Sequence, residues 1–159
     1  MIHSCKRKDD ILETEDISIK INKITLDEYL EIRHAVNWKI LSRDQAAKAL
    51  DNSLYIAGAY TISEDGREKL IGMGRVVGDG AVICYVQDLI VVPDYQKRGV
   101  GSMILNNLTE FVKSIGEPDT EMMFCLMCAK GRQQFYEKHG FIARPTDALG
   151  PGMIQYLKL

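Results

Sequence analysis

Little in this 159-residue chain is available for covalent or metallic stapling: it holds four cysteines and three histidines. Cys5 lies in a polar start, whereas Cys84, Cys125 and Cys128 lie in apolar runs, as reduced and buried thiols do, so no disulfide framework is implied. Charge of one sign is equally scarce. Twenty Lys and Arg stand against 22 Asp and Glu, a net charge of -2, which offers no electrostatic footprint for nucleic acid or an anionic membrane. The longest apolar runs, such as Ala81 to Val86 and Leu89 to Pro93, fall far short of the roughly 20 residues of a membrane span. Residues 1–16 are broken by Lys6, Arg7, Lys8, Asp9, Asp10 and further charges, so they lack the apolar stretch of a signal peptide. A polar, frayed N-terminal extension and a cytoplasmic location are expected. No repeat, low-complexity tract or linker composition interrupts the remainder of the chain, so 17–159 reads as one domain. With 46% hydrophobic residues, a chain of this size can bury roughly 70% of its unfolded surface without a staple.

What is present is a clear succession of elements. Ile17 to Ile21 alternates as a short strand does. Thr25 with Glu28 forms a capping-box pattern for a helix reaching about Val36, and Ser42 with Gln45 opens a second helix that Asp51-Asn52 ends. Ser53 to Thr61 and Lys69 to Val77, joined through Glu64-Asp65-Gly66, predict an antiparallel hairpin. After Gly78-Asp79-Gly80, the run Ala81 to Val92 reads as a central strand buried on both faces, stopped by Pro93. A glycine-containing turn then leads into a helix with Val100, Ile104, Leu108, Phe111 and Ile115 on one face. Gly116 and Pro118 end it, Met122 to Cys128 forms another apolar strand, and Gly131 to His139 a short helix capped by Gly140. Phe141 to Ala143 and Met153 to Leu159 are expected as closing strands.

The informative feature is a buried strand, a turn and then Gln96-x-x-Gly99-x-Gly101 opening a helix. Successive backbone N–H groups at a helix start, with glycines that admit a ligand, cradle phosphate oxygens. It is no Walker loop, because Gly-Lys-Ser/Thr is missing, and no dinucleotide fingerprint, because the third glycine position is Ile104.

The stretch Gln87-Asp88-Leu89-Ile90-Val91-Val92-Pro93-Asp94-Tyr95-Gln96-Lys97-Arg98-Gly99-Val100-Gly101 closely resembles the acyl-CoA-binding core of the GCN5-related N-acetyltransferases (GNAT). Phe135-Tyr136-Glu137-Lys138-His139-Gly140-Phe141 is similar to that family's closing helix and its tyrosine, and the order of elements agrees over nearly the whole chain. The resemblance implies an α/β fold: a mixed, mostly antiparallel sheet splayed between its fourth and fifth strands, flanked by helices, with acetyl-CoA as co-substrate in the cleft and no metal. It places the pantetheine arm and thioester on Leu89, Ile90 and Val91. The pyrophosphate falls on Gln96, Lys97, Arg98, Gly99, Val100, Gly101 and Ser102. Tyr136 comes near the thioester sulfur. Two departures stand out: Gln87 replaces an acidic residue of several relatives, leaving Asp88, and Ala129 stands where relatives often have an asparagine.

Aminolysis of a thioester builds an oxyanion that a fixed backbone N–H can hold, and Val91 is the best donor candidate. A thiolate resembling cysteine has a pKa near 8.5 and free tyrosine one near 10, so full proton transfer from Tyr136 is uphill by roughly 2 kcal/mol. A charge-assisted hydrogen bond is the better description. An alkylamine with a pKa near 10.4 must also lose a proton. Asp88 either takes it through a water, binds the ammonium while solvent takes the proton, or caps a backbone group instead. Trp38, on the link between the first two helices, stacks on an aromatic or cationic amine or else seals the core edge. Tyr85 and Gln87 are further candidate acceptor contacts. Cys125 and Cys128 spell C-x-x-C inside an apolar strand, without a second pair, and read as packing rather than a metal site.

The expected activity is acetyl transfer to a primary amine of a small molecule, an aryl-alkylamine rather than a polycation, by direct attack in a ternary complex. A protein lysine or N-terminus as acceptor, and a CoA-binding regulatory module with weak catalysis, are the alternatives. The expected partners are a small-molecule amine, neither nucleic acid nor membrane, and, as an admissible state, a second copy in a homodimer.

Overall fold

The structure, a computed structural model, describes residues 16–158. Of the polar N-terminal extension only Asp16 falls within that range, so the frayed start and Cys5 lie outside the described residues, as does Leu159.

The sheet runs in chain order, β1 (Ser18–Ile21), β2 (Tyr55–Ile62), β3 (Glu68–Gly78), β4 (Ile83–Val91) and β5 (Met123–Cys125). Its first three pairings are antiparallel and the last is parallel. Between β1 and β2 lie α1 (Leu26–Ala35) and α2 (Arg43–Asp51). Both start where the side chains satisfy orphan donors. Thr25 Oγ1 accepts from the Glu28 amide at 3.2 Å while Glu28 Oε2 accepts from the Thr25 amide at 2.8 Å, and Ser42 Oγ accepts from the Gln45 amide at 3.1 Å. The helices α3 (Val100–Ile115) and α4 (Gln133–Glu137) complete the domain.

Three layers result. On one face of the sheet α3 buries Val100, Ile104, Leu105 and Leu108 against Ala57, Ala59, Val76, Cys84 and Val86. It comes close because β3 carries Gly72 and Gly74: a Cβ on either would stand 2.8 Å from an Ile104 side-chain carbon. On the other face α1 and α2 bury Tyr29, Ile32 and Ala46 against Ile56, Met73 and Ile90.

Two irregularities in β4 create the site. The first is a bulge: Met73 faces Ile90 but Arg75 faces Gln87, so β4 spends one more residue than β3 over the same length. Asp88 supplies the kink with φ +55. A single extra residue transfers every later side chain to the opposite face. Before it, Cys84 and Val86 point toward α3; after it, Asp88 and Ile90 point toward α1 while Leu89 turns to α3. The second irregularity is the splay. Only Ile83, Cys84 and Tyr85 pair with β5, at Met123, Phe124 and Cys125, after which β5 ends and the two strands part.

The closing strands expected over Phe141 to Ala143 and Met153 to Leu159 are not formed among the described residues. Ile142, Met153, Ile154, Tyr156 and Leu157 are exposed, so these β-prone segments lack the neighbour against which a strand would bury one face. The fifth strand is also shorter than the apolar run Met122 to Cys128 suggests. Apolar composition marked the right place but could not fix where pairing stops.

Candidate functional site

Where β4 and β5 part, a cleft of about 600 Å³ opens. Leu89, Ile90 and Val91 form one side of it, Ala129, Arg132, Phe135 and Tyr136 the other. Gln96, Lys97, Gly99, Gly101 and Ser102 close one end, and Ala35, the last residue of α1, with Val36 to Trp38 of the link beyond it, overhangs it. Neither Asp nor Glu is among these lining residues.

The edge of β4 is polar toward this opening. Within a strand, N–H and C=O of one residue point to the same edge and those of the next residue to the other. The Val92 amide donates to Ile71 O on β3 at 3.0 Å, so both main-chain groups of Val91 face away from β3. Consistent with this, Val91 O accepts from Gln96 Nε2 at 2.9 Å. Gln96 Oε1 in turn accepts from Arg132 Nη2 at 3.2 Å, so one glutamine links β4 to the opposite side of the cleft.

At the entrance to α3, Lys97 (φ +61) and Gly99 (φ +83) both adopt left-handed backbone, and Gly99 caps the helix without any side-chain bond. Such a turn directs successive amides into a concavity, and the helix dipole adds positive potential there. A Cβ on Gly99 would meet nothing within 4 Å, whereas one on Gly101 would stand 3.4 Å from the Phe135 ring. No acidic residue lies in the first turn of α3, and Lys97 and Arg132 line the cleft. The main chain, the open space and the charge thus suit a phosphorylated ligand whose arm follows the free edge of β4.

Tyr136 borders the cleft with its ring held edge-on by Phe135 and Phe141, at centroid distances of 5.0 and 5.8 Å. Burial, reinforced by Cys128 and Tyr85, pushes its hydroxyl pKa up to about 12. It is therefore a donor throughout the neutral range. The roughly 2 kcal/mol gap between free tyrosine and a thiol widens, which favours a hydrogen bond over complete transfer.

Asp88 does not stand at the amine as expected. Its side chain is 0% exposed and is absent from the cleft lining. Oδ2 accepts from Tyr29 Oη at 2.6 Å and Arg75 Nε at 2.7 Å, while Oδ1 accepts from Arg33 Nη1 at 2.8 Å and Gln87 Nε2 at 3.0 Å. Burial alone would raise its pKa, but the Tyr29 hydroxyl and the Arg75 guanidinium hold it below the ordinary carboxylate value. Four donors fill the four lone-pair directions of a carboxylate, so neither water nor an ammonium has a vacancy. Of the three roles the sequence leaves open, base through a water, contact with the ammonium and cap of a backbone group, this arrangement matches none: the carboxylate is taken up by four side-chain donors.

Trp38 does overhang the cleft. Gln87 instead spends its amide on Asp88, and Tyr85 accepts the Met127 amide at 2.9 Å, tying down the chain beyond β5; neither lines the cleft. Among the loop residues, Val100 is buried in the core beneath α3 and Arg98 lies over the Tyr95 ring at 5.1 Å, so their side chains do not line the cleft either. Arg132, Phe135 and Asn37 do line it and were missed. A basic residue beside a glycine at the head of a short helix is the signal that points to Arg132. Cys125 is half-buried and Cys128 exposed, both as free thiols. Among the described residues no three His, Cys, Asp or Glu side chains group as metal ligands, and no helix is long and apolar enough to cross a membrane.

Comparison with known proteins bears on the same region. The Acetyltransferase (GNAT) domain family matches residues 56–143. An uncharacterized N-acetyltransferase, ycf52, from Pyropia yezoensis is 28% identical over 142 residues, covering 89% of this chain and 79% of that protein. A histone acetyltransferase, TAP1, from Glycine max is 31% identical over 123 residues, covering 72% of this chain and 51% of that protein. Among solved structures, a probable acetyltransferase from meticillin-resistant Staphylococcus aureus superposes with a TM-score of 0.73 at 27% identity, covering 91% of this chain and all of that one.

Proposed function

The chain belongs to the GNAT acetyltransferase family, and from that premise we propose that it moves the acetyl group of acetyl-CoA to a primary amine of a small molecule within a ternary complex. The observation that carries this reading is the cleft itself: a free β4 edge with the Val91 amide turned outward, faced by a tyrosine hydroxyl and closed by a left-handed glycine turn on α3. Acetyl-CoA, when bound, supplies an acyl thioester open to attack by an amine. Gly99, Gly101 and Lys97 would hold its phosphates, and Leu89, Ile90 and Val91 its arm. The Val91 amide stabilises charge developing on the carbonyl oxygen, and because it is fixed by the sheet it does so without reorganisation. Tyr136 donates to the departing sulfur.

Direct attack suits the cysteines. The Cys84 thiol is buried and pushed up, and partial burial pushes up that of the half-buried Cys125, so neither is a ready nucleophile, and Cys128 is not among the residues lining the cleft. The absence of any acidic residue from the lining, together with Lys97 and Arg132, disfavours a polycation. Trp38 offers an apolar and aromatic face instead, which supports an aryl-alkylamine. The histone acetyltransferase among the relatives keeps a protein amine as the second reading. A cytoplasmic location belongs to the same proposal.

The pH profile tests this with phenethylamine and spermidine as acceptors, following release of the CoA thiol. Asp88, held below the ordinary carboxylate pKa, is ionised well before neutrality and adds no limb above pH 5. Tyr136, at about 12, keeps its proton through pH 10. kcat/KM for phenethylamine is therefore expected to rise by about tenfold per pH unit toward the pKa of the amine, with no fall through pH 10. A plateau beginning near pH 7 would show a base in the protein, and spermidine as the better substrate would refute the acceptor class.

A further inference from the structure

The acid that the sequence offers as a base sits at the centre of a buried bridge between three elements. From α1 come Tyr29 and Arg33, from β3 comes Arg75, and Asp88 itself stands at the bulge of β4. Arg75 extends the bridge to α2 by donating from Nη1 to Ala49 O and Ser53 Oγ, both at 3.0 Å. Arg33 extends it to the overhanging link. Its Nη2 donates to Lys39 O at 3.2 Å, its guanidinium lies 5.3 Å from the centre of the Trp38 ring, and its main-chain carbonyl accepts from the Trp38 amide at 3.1 Å.

Neutralising one carboxylate needs one arginine, and here there are two. The second has a geometric use. Arg33 Nε is buried and has no hydrogen-bond partner among the described residues, a cost tolerated because the guanidinium lies against two rings, Tyr29 at 5.6 Å and Trp38 at 5.3 Å from their centres. Arg33 thus gives up part of its hydrogen bonding to clamp an aromatic that would otherwise hang on an irregular loop. That aromatic is the side chain of the α1–α2 link best suited to touch an apolar acceptor.

Resting on the transferase reading above, we infer that Asp88 is a positioning residue: through Arg33 it holds Trp38 over the acceptor end of the cleft, and it accepts no proton from the amine. The chain Asp88, Arg33, Trp38 couples the β4 bulge, which sets the edge carrying Val91, to the wall of the acceptor pocket. Both reacting partners are then aligned by one buried carboxylate.

Trp38 is the sole tryptophan of the chain, so its emission reports the clamp directly and without any acceptor. Arg33→Met keeps the length of the side chain and leaves Asp88 paired with Arg75, Tyr29 and Gln87. This variant is expected to fold, to emit at longer wavelength and to be more readily quenched by acrylamide. Its KM for phenethylamine should rise by about tenfold, as a misplaced pocket wall would cause, while acetyl-CoA affinity measured by calorimetry stays within about twofold, since Arg33 does not border the phosphate loop. Asp88→Asn should reproduce the emission change and keep the shape of the kcat/KM pH profile. Unchanged Trp38 emission and unchanged acceptor KM in Arg33→Met would overturn the inference. So would an Asp88→Asn protein with native Trp38 emission that loses kcat and shifts its pH profile, for that is the behaviour of a base. A wild-type protein that binds acetyl-CoA but acetylates no amine would remove the transferase reading instead and leave the fluorescence result standing.

Discussion

Tyr136→Phe is expected to lower kcat by on the order of 10² to 10³ while leaving the KM for acetyl-CoA nearly unchanged. The magnitude is that of removing one donor aimed at charge that develops only in the transition state. The split between kcat and KM follows from the same point, because a hydroxyl that matters only as sulfur becomes negative contributes little to ground-state binding. The substitution is clean on structural grounds. The ring keeps its edge-on packing with Phe135 and Phe141, and only one oxygen leaves. Steady-state kinetics at saturating acceptor provides the check, and a wild-type kcat in the mutant would return Tyr136 to the role of a packing aromatic between α4 and the cleft.

Replacing Gly99 by glutamate is expected to weaken acetyl-CoA binding by a hundredfold or more, about 3 kcal/mol, since a like charge set against the phosphates costs several kcal/mol. Two opposing effects act on the fold. A side chain at φ +83 costs about 1–2 kcal/mol, whereas a carboxylate at the head of a 16-residue helix recovers about 0.3–1 kcal/mol from the dipole. With nothing within 4 Å of the new Cβ, no clash is added, so the circular dichroism spectrum should remain native. Calorimetry that found unchanged affinity in a folded Gly99→Glu protein would place the phosphates elsewhere.

The sequence was a good guide where local chemistry decides. The capping residues Thr25 and Ser42 start their helices where expected, Val100, Ile104 and Leu108 of the α3 stripe are buried with Phe111 and Ile115 half-buried against the same core, and the turn at Gly99 adopts the left-handed backbone that a glycine there allows. Pairing and long-range partners were less legible. Three of the four partners of Asp88 lie 13, 55 and 59 residues away, and nothing near Arg33 or Tyr29 in sequence announces that they converge on β4. A one-residue bulge decides which face Asp88 occupies, and alternation alone would have kept it with Val86 on the α3 side. Tyr85 and Gln87 were misplaced for a related reason: each is adjacent to the site in sequence, but its polar group is spent on a neighbour. The closing strands failed because β-propensity describes a surface ready to pair, not the partner that completes it.

The most direct test of the account is the pattern of backbone amide shifts when the ¹⁵N-labelled protein is titrated with acetyl-CoA. The largest changes are expected at Leu89, Val91, Lys97, Gly99, Gly101 and Ser102, along the free edge of β4 and the turn into α3, with Tyr85, where β4 is still paired to β5, little affected. Saturable shifts centred on any other face of the sheet, or no shifts at ligand concentrations that saturate turnover, would contradict the placement of the acyl donor in the cleft between β4 and β5.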